Sequence, residues 1–391
     1  MTAPLRVQRK ATRQDTRNQN RRLVLQRVFN EHTTTRADIA RATGLTPATV
    51  SHLIAELIDE GFVIETGTGP SAGGKPPTLL DLKAGARNLI SVDLSDGTLT
   101  GSVLDLKGTK TKLTAPPLPF AGGEGGLQQL FDTVDELIEA ATAPVLGVGV
   151  GTPGVVDAEG TIIEASNLGW RNVPLRNLLA ERYSVPICVL NNSRAAALAE
   201  YSFGGRRAEN LVVIKIGNGI GAGVVMDGRI HTGEDSAAGE IGHVVVDADG
   251  PACFCGKSGC LETVAAVPYL QRTLRGLLLD PPPAPSDLLK AAAAQAAEGN
   301  DEVQEVLDGA GRNLAVVLST TVAILDIHEV VFSGPIAGLG KPFLARLHSE
   351  IGRRVLPAVA GKLHLSYGRT GDRAVRLGAA ASVLNDQLGV L

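Results

Sequence analysis

The stretch GEIGHVVVDADGPACFCGKSGCLE, residues 239–262, places three cysteines close together in a glycine-rich segment. Cys253 and Cys255 form a Cys-x-Cys pair, and Cys260 follows after four intervening residues. The glycines between them allow tight turns that aim three thiols at one point. His243 supplies a nitrogen donor from the same stretch and completes a closed tetrahedral set. This spacing predicts a structural zinc site. The alternative is a set of reduced cysteines packed as small apolar residues.

The composition around this stretch is that of an ordinary soluble protein. The chain has 391 residues, of which 44% are hydrophobic and 20% are charged, so it can hold two or three domains. No apolar run approaches the ~18–20 residues of a membrane span. The N-terminal sequence MTAPLRVQRKATRQDTRNQNRR lacks the apolar region of a signal peptide. Clustered cysteines in such a chain favour metal ligation over disulfides, and we expect a cytoplasmic protein with no membrane contact.

The charge is distributed unevenly along the chain. Residues 1–88 carry 13 Lys and Arg against 8 Asp and Glu, whereas the remainder carries 24 against 33. A basic module attached to an acidic body is expected of a nucleic-acid binder with a separate sensor domain. A charge of this size over 88 residues does not establish DNA binding without a motif.

Residues 18–61 provide that motif. Apolar residues recur at helical spacing in NQNRRLVLQRVFN (18–30), RADIARATG (36–44) ends at a glycine, and TPATVSHLIAELIDEG (46–61) begins with a capping hydroxyl and a proline. A short helix, a glycine-containing turn and a longer helix form the helix-turn-helix pattern, whose second helix enters the major groove. The residues predicted to contact bases are small or polar and lie on its outward face: Thr46, Ala48, Thr49, Ser51 and His52.

The segments that flank this motif add two further DNA-binding features. FVIETGTGPSAGGKPPTLLDL (62–82) has two β-rich pieces around a glycine-rich tip, and Lys75 at the tip suits a phosphate or minor-groove contact. We therefore predict a winged helix-turn-helix over residues 18–82. The preceding residues 1–17 are expected to form a basic flexible arm that carries Arg6, Arg9, Lys10, Arg13 and Arg17. The alternative is a trihelical packing module with a solvated arm.

From Leu89 onward, apolar β-like runs alternate with helical stretches, which predicts an α/β protein. Within it, IGNGIGAGVVMDG (216–228) offers glycine-rich backbone that suits a phosphate or sugar hydroxyls, although such hairpins are common. VDLSDGTLTGSVLDL (92–106) predicts a strand, a turn and a strand. VLNNSRAAALAE (189–200) predicts a strand that runs into a helix headed by two asparagines, which serve either a ligand or the helix cap.

Four motifs together resemble the ROK family of repressors, open reading frames and sugar kinases, specifically its repressor branch: GVGVGTPG (147–154), NLGW (167–170), AGEIGH (238–243) and CFCGKSGCLE (253–262). The resemblance spans Asn18 to Asp386. It implies a winged helix-turn-helix followed, over residues 88–391, by a two-lobed actin/hexokinase-like (ribonuclease H-like) domain with sugar and ATP in its cleft. It also implies zinc at His243, Cys253, Cys255 and Cys260. The sugar-binding set that it implies is Asn167, Asn191, Asn192, Glu240, His243 and Glu262.

The chain departs from the kinases of this family at two positions. Those kinases have Glu-Asn-Asp, with the aspartate as general base, where this chain has Leu190, Asn191 and Asn192. An amide cannot serve as a general base near neutral pH. The kinases also have Asp-x-Gly-Gly-Thr where this chain has Ser95 and Asp96, and the Asp96 charge opposes phosphate. The two changes predict a sugar-binding domain without kinase activity.

The resemblance therefore predicts a DNA-binding repressor of carbohydrate metabolism that responds to a sugar or a sugar phosphate. Its expected partners are a pseudo-palindromic DNA operator, the sugar, and further copies of the chain in a homodimer or homotetramer. Two other functions stay open at this point. One is an active ATP-dependent sugar kinase with a fused DNA-binding domain. The other is a DNA-binding protein that ignores ligands and uses the second domain only as a dimerisation scaffold.

Overall fold

The structure is a computed structural model that describes residues 12–31, 33–70, 76–95, 97–115, 120, 122–206, 208–278, 284 and 286–390. Its N-terminal part contains α1 (Arg13–Asn30), β1 (Thr34–Thr35), α2 (Arg36–Thr43), α3 (Pro47–Asp59), β2 (Val63–Thr68) and β3 (Thr78–Leu82). The three strands form one antiparallel sheet in the order β1-β3-β2. Helix α2, the turn at Gly44 and helix α3 form the helix-turn-helix, and β2 and β3 form the wing. The predicted winged helix-turn-helix is confirmed.

Helix α1 begins at Arg13, before the residue at which the sequence pattern starts. Thr12 forms a capping box, in which its hydroxyl accepts a hydrogen bond from the Asp15 amide and the Asp15 carboxylate accepts one from the Thr12 amide. Arg13 and Arg17, which we placed in the flexible arm, are therefore helical. The remaining basic residues of the arm, Arg6, Arg9 and Lys10, lie outside the described residues.

The core of the winged helix-turn-helix comes from the apolar faces of α1 and α3. Its side chains are at most 2% exposed: Val24, Leu25, Val28, Val50, Leu53, Ile54 and Leu57. They pack at helical spacing, as the sequence pattern predicts. The same apolar cluster continues into the C-terminal part of the chain through Leu377, Leu384 and Leu388. The DNA-binding domain therefore shares a packed boundary with the domain that follows it.

The first lobe of the second domain contains a mixed five-stranded sheet in the order β11-β7-β4-β5-β6. Strands β4, β7 and β11 run parallel, while β4, β5 and β6 form an antiparallel meander. A small antiparallel sheet of β8, β9 and β10 extends from it. The elements are β4 (Asn88–Asp93), β5 (Thr100–Leu104), β6 (Lys110–Thr114), α4 (Gly123–Glu139), β7 (Val145–Thr152), β8 (Val155–Val156), β9 (Ile162–Ala165), β10 (Trp170–Val173), α5 (Leu175–Arg182), β11 (Ile187–Asn191) and α6 (Asn192–Phe203).

The second lobe repeats this topology with the sheet order β14-β13-β12-β15-β16. Its strands β12, β15 and β16 are parallel, and β12, β13 and β14 form the meander. The elements are β12 (Leu211–Ile216), β13 (Ile220–Met226), β14 (Arg229–His231), α7 (Leu261–Ala265), α8 (Val267–Leu274), α9 (Leu288–Ala297), α10 (Asp301–Leu325), β15 (Glu329–Ser333), α11 (Gly340–Gly352), α12 (Pro357–Ala360), β16 (His364–Tyr367) and α13 (Ala374–Leu388). This duplicated sheet is the two-lobed α/β fold that we predicted.

Two helices hold the lobes together. Helix α13 packs on β4 and β7 of the first lobe, helix α6 packs on β12 and β13 of the second, and the two helices pack against each other. Alanines on α6 are fully buried in this contact, which allows the helices to approach closely. The longest described helix is α10, and among the described residues no helix is long and apolar enough to cross a membrane.

Candidate functional site

The exposed face of α3 has the properties of a DNA-reading surface. Thr46 caps the helix by accepting a hydrogen bond from the Thr49 amide at 3.2 Å. Ala48, Ser51 and His52 are exposed, while the opposite face of the helix is buried in the domain core. The structure thus presents these five residues together at the N-terminal half of α3, where side chains of a recognition helix contact base edges.

Helix α1 lines a shallow groove of ≈ 350 Å³ beside this face. Arg13 and Arg17 contribute the positive charge of the groove, and Thr49 and His52 line its other side. Arg17 also forms a salt bridge with Glu56 of α3. The groove therefore adds cationic side chains suited to phosphate contacts next to the residues that face the bases. Lys75, the predicted contact at the wing tip, lies outside the described residues.

The cysteine loop, residues 239–262, folds back on itself and brings its four donor atoms together. One atom each from His243, Cys253, Cys255 and Cys260 lies within 4.8 Å of the others. The Cys255 and Cys260 sulfurs are 3.6 Å apart, and the Cys253 sulfur lies 3.6 Å from His243 Nδ1. Short backbone bridges, Val245 to Cys260 and Ala252 to Ser258, hold the loop in this shape.

These distances fit a tetrahedral metal ion. Zinc–sulfur bonds of about 2.3 Å at tetrahedral angles would separate two sulfur ligands by about 3.8 Å. The backbone amide of Lys257 lowers the pKa of Cys255 to about 7, so that a substantial fraction of this thiol is ionised at neutral pH. Burial raises the pKa values of Cys253 and Cys260. The cluster can hold a metal ion through three sulfurs and one nitrogen.

Four of the predicted sugar-binding residues form two pairs, and the His243 amide joins the pairs by donating to Glu240 O at 3.2 Å. The Asn191 side-chain amide donates to Gly154 O at 2.8 Å and lies 3.5 Å from the Glu240 carboxylate. His243 Nδ1 is 3.5 Å from the Glu262 carboxylate, which also accepts a hydrogen bond from the Cys253 thiol at 3.0 Å. Burial raises the pKa of Glu240, and the nearby Glu262 charge raises it further, while His243 and Arg194 oppose the shift. The group combines the acceptors that suit sugar hydroxyls with a direct contact to the metal-ligand cluster.

The other two predicted sugar-binding residues occupy different surroundings. Asn192 is 6% exposed, and its Oδ1 has no hydrogen-bond partner. This oxygen lies toward Gly151 of β7 and lacks the hydrogen bond that buried acceptors usually make. Asn167 is exposed on the short 3₁₀ helix Ser166–Leu168, which follows directly on Ala165, a residue next to Gly154. The structure therefore places Asn167 near the Asn191 end of the group rather than within its hydrogen-bond network.

The Asp93 loop, residues 93–98, lies beside Asn192. Its Leu94 amide donates to Gly151 O at 2.9 Å, and Gly151 lies close to Asn192 Oδ1. The Asp93 carboxylate accepts a hydrogen bond from the Ser95 amide at 2.8 Å. The Ser95 hydroxyl is buried without a partner. Asp96, the other residue that departs from the kinase pattern, lies outside the described residues.

The glycines of segment 216–228 have a packing role in the structure. A side-chain carbon at Gly221 would lie 2.3 Å from Ser193 Oγ, and one at Gly223 would lie 2.2 Å from Ser193 O. Only glycine allows strand β13 to approach helix α6 this closely. Of the two interpretations that the sequence left open, a ligand cradle and an ordinary hairpin, these two glycines match a hairpin packed on a helix.

Comparison with known proteins identifies the second domain. The profile of the ROK family matches residues 90–386, most of the chain. The chain belongs to the ROK family. A second profile, described as a winged helix-turn-helix DNA-binding domain, matches residues 17–64. The predicted resemblance is therefore confirmed for both domains, and residues 90–386 are called the ROK domain below.

Relatives with both domains match almost the whole chain. A xylose repressor from Caldicellulosiruptor bescii is 29% identical over 393 residues, which cover 94% of this chain and 96% of that repressor. A crystal structure of a ROK family transcriptional regulator, a homologue of the Escherichia coli MLC protein, superimposes with a TM-score of 0.81 at 25% identity. The superposition covers 96% of this chain and 98% of that regulator. A glucokinase from Thermotoga maritima is 32% identical over 317 residues. This match covers 98% of that kinase but only 77% of this chain. The chain has the domain architecture of the regulators of the family.

Arg194 is a residue of the ROK domain that the sequence analysis missed. Its guanidinium donates to Val156 O of the first lobe at 3.2 Å and to Ser236 O of the second lobe, and the residue is 5% exposed. Burial lowers the pKa of this side chain, while the nearby Glu240 opposes the shift. Arg194 therefore bridges the lobes directly behind the sugar-binding group. An arginine in an alanine-rich helix gives no local signal of such a role.

Proposed function

We propose that this protein is a sugar-responsive transcriptional repressor in which the ROK domain binds a sugar and does not phosphorylate it. The observation that carries the proposal is the presence of two sites in one chain. The recognition helix exposes small and polar residues, and the second domain brings Asn191, Glu240, His243 and Glu262 into contact with one another. The relatives that match both domains support it, because one is named a xylose repressor and another a transcriptional regulator. The controlled genes would then belong to carbohydrate metabolism.

The Asn192 environment supports a domain without kinase activity. Removing a proton from a sugar hydroxyl requires a basic group within hydrogen-bonding distance, and a side-chain amide has none. The buried Oδ1 of Asn192 can instead accept a hydrogen bond from a hydroxyl that keeps its proton. Ser95 stands where the family kinases have a glycine, in the loop that admits phosphate. The active-kinase alternative is disfavoured because both changes oppose the same reaction.

Zinc is the metal that we propose for the cysteine loop. Its preferred donors are thiolate sulfur and imidazole nitrogen in a closed tetrahedral set, and His243, Cys253, Cys255 and Cys260 supply that set. The ion would be structural, since four protein donors leave no position for a substrate. By shaping the loop it would place Glu262 and Glu240 at the pocket.

A repressor of this kind needs a twofold assembly, because operators for helix-turn-helix proteins repeat the half-site on each side of a dyad. We propose a homodimer or homotetramer bound to a pseudo-palindromic operator, acting in the cytoplasm where DNA is present. The residues that we propose to read its bases are the exposed ones of α3, with Lys75 at a phosphate. The proposed domain limits are those of the sequence analysis, except that α1 extends to Arg13.

The test combines operator selection with ligand screening. The full-length protein is used to select a duplex from random-sequence DNA, and its thermal stability is then measured with monosaccharides, amino sugars and their 6-phosphates. We expect one sugar class to stabilise the protein and to change its operator affinity. ATP-dependent production of a sugar phosphate at rates typical of kinases would contradict the proposal. Operator binding that no sugar changes would favour the ligand-independent alternative.

Substitution of Thr49 tests the assignment of the recognition face. Thr49→Ala should weaken binding to the selected operator by about 1–3 kcal/mol per lost base contact and should relax the preference at one base pair. Lys75→Ala should weaken all sequences to a similar degree and flatten the salt dependence, because phosphate contacts carry no sequence information. Fluorescence anisotropy with matched and mismatched duplexes measures both effects. The assignment is wrong if neither substitution changes binding.

A further inference from the structure

Helix α6 reaches from the sugar-binding group to the DNA-binding domain. At its N-terminal end, the Asn191 side chain caps the helix by accepting hydrogen bonds from the Ser193 and Arg194 amides. The same side chain lies 3.5 Å from the Glu240 carboxylate of the pocket. The helix has 12 residues and is therefore about 18 Å long. Its last residue, Phe203, lies against helix α1 of the winged helix-turn-helix.

The contact at this far end is an aromatic pair. The rings of Phe203 and Phe29 have centroids 6.2 Å apart and planes at 65°, an edge-to-face arrangement. The β5–β6 turn packs against the Phe203 ring. Gly108 of this turn is so close that an added Cβ would lie 3.0 Å from Phe203 Cε1. The Phe203 ring is thus held between the ROK domain and α1. The contact gives α6 a direct connection to α1.

Phe29 stands on a helix that is itself fixed to the recognition helix. Its neighbours on α1, Val24, Leu25 and Val28, belong to the core that also contains the buried residues of α3, and Phe29 packs against the same core. Arg17 and Arg21 of α1 form salt bridges with Glu56 and Glu60 of α3. Helices α1 and α3 therefore move together, because displacing one alone would break packed apolar contacts.

A second contact between the domains does not involve α6. Lys107 of the β5–β6 turn donates to the Asp81 carboxylate of β3 at 2.8 and 2.9 Å. It joins the ROK domain to the wing rather than to α1, and neither residue belongs to the pocket. The Lys107–Asp81 pair therefore provides a matched control for a contact that only holds the domains together.

We propose that the Phe203–Phe29 contact transmits occupancy of the sugar pocket to the recognition helix, with α6 as the connecting element. This inference rests on the proposed function, since it requires that a sugar changes operator affinity. A ligand that hydrogen-bonds Asn191 and Glu240 acts on the cap of α6. The helix carries the displacement to Phe203, and α1 carries it to α3. The contact then differs in free energy between the sugar-bound and the DNA-bound states, as a coupling between two sites requires.

The experiment measures the ratio of operator dissociation constants with and without saturating sugar. The probes are D-xylose, D-glucose and N-acetyl-D-glucosamine 6-phosphate, and the probe with the largest effect on the unmodified protein is used. The variants are Phe203→Leu, Phe29→Leu and the double variant, with Lys107→Ala as control. Anisotropy gives operator affinity, calorimetry gives sugar affinity, and circular dichroism confirms folding. Phe29→Leu keeps the test available if Phe203→Leu fails to fold.

We expect a ratio of about fivefold or more in the unmodified protein and in Lys107→Ala. In each phenylalanine variant the ratio should fall to about twofold or less, while sugar affinity and sugar-free operator affinity change by less than about threefold. The double variant should behave like the single ones, because all remove the same contact. An unchanged ratio in the folded phenylalanine variants overturns the coupling role, as does an equal loss in Lys107→Ala. A ratio of one in the unmodified protein with every probe overturns the proposed sugar response and the coupling with it.

Discussion

The cysteine loop and the Asp93 loop both lie beside Asn191 and Asn192, and only the Asp93 loop departs from the sequence of the family kinases. The cysteine loop holds four metal donors within 4.8 Å and carries Glu240 and Glu262. The Asp93 loop has a buried serine hydroxyl without a partner where the family kinases have glycine. In the proposed function the first loop serves sugar binding, whereas the second would be needed for phosphate transfer. Under the proposed function, this difference corresponds to a domain that binds a sugar without phosphorylating it.

The largest effect is expected from breaking the intact loop. Cys255→Ser should reduce the zinc content from one ion per chain to none, because closed four-donor sites depend on every ligand. Sugar affinity should fall by about 10–100-fold, because the Glu262 carboxylate is hydrogen-bonded to the metal donor Cys253 and would lose its position with the metal. Elemental analysis and calorimetry measure the two effects. Cys188→Ser, at a cysteine of β11 outside the cluster, should change neither. Metal retained in Cys255→Ser would contradict the ligand assignment.

Repairing the other loop tests the comparison from the opposite side. Asn192→Asp restores the position of the base, but the unchanged Asp93 loop should keep turnover low. Adding Ser95→Gly and Asp96→Gly should raise the turnover further. The total gain over the unmodified protein should stay within about 10²–10⁴-fold, the factor that general-base catalysis contributes. ADP release with a sugar panel is the measurement. Asn192→Ala combined with the same glycines is the control and should stay inactive. Kinase-like rates in the unmodified protein would show that another carboxylate acts as base.

Helix α6 begins at Asn192, beside both loops, and the Glu200 carboxylate anchors this helix to Thr370. The Glu200 carboxylate is fully buried and accepts hydrogen bonds from the Thr370 amide at 2.8 Å, the Thr370 hydroxyl at 2.6 Å and Arg206 Nε at 3.1 Å. Glu200→Gln should lower the free energy of unfolding by about 1.5–3 kcal/mol at neutral pH, because Thr370 and Arg206 lose a charged acceptor while Arg206 keeps its ion pair with Glu329. Urea denaturation measures it. Glu298→Gln, at an exposed glutamate, should change it by less than about 1 kcal/mol.

The pH dependence of this effect follows from the pKa of Glu200. Burial alone would raise that pKa, but the hydrogen bonds from Thr370 and Arg206 outweigh burial and lower it. A carboxyl whose pKa is lowered by folding stabilises the protein above its unfolded pKa, and the contribution disappears as the pH falls through the folded value. The difference between the unmodified protein and Glu200→Gln should therefore shrink in acid. A difference that grows as the pH falls would contradict the assigned ion pair.

The smallest effect is expected at Ser95 itself. Its buried hydroxyl has no partner, so Ser95→Ala removes an unsatisfied group and should leave the free energy of unfolding unchanged or raise it by up to about 1 kcal/mol. Ser319→Ala is a matched control, because the buried Ser319 hydroxyl donates to Val316 O at 3.0 Å. That substitution should cost about 0.5–1.5 kcal/mol. A clear destabilisation by Ser95→Ala would mean that the hydroxyl has a structural partner in solution.

Local patterns predicted the features that depend on residues near one another in the chain. The cap at Thr46, the proline after it and the helical spacing up to Leu57 are read from consecutive residues, and α3 follows them closely. The Cys-x-Cys pair and Cys260 lie within eight residues, so their convergence needs only tight turns. The four donors of the cluster were therefore recognisable before any fold was known.

Features that depend on distant residues gave no such signal. Arg194 is surrounded in sequence by alanine and serine, and its role appears only when Val156 and Ser236 lie on either side of it. The glycines of β13 suggested a ligand cradle as readily as a hairpin until Ser193 of α6 was seen packed against them. A contact across the fold leaves no periodicity that a sequence pattern could carry.

The amino-acid sequence was sufficient for the domain order, the DNA-reading helix, the donor set for a metal and the absence of an acidic side chain at position 192. Each of these follows from residue chemistry and short-range spacing. Only the folded chain showed that the Asn191 side chain reaches the Glu240 carboxylate, and that α6 ends on Phe29 of the DNA-binding domain. Phe29 and Phe203 are 174 positions apart in the sequence. They meet because α1 and α13 share one apolar cluster against which both rings pack, and that packing is a property of the whole chain.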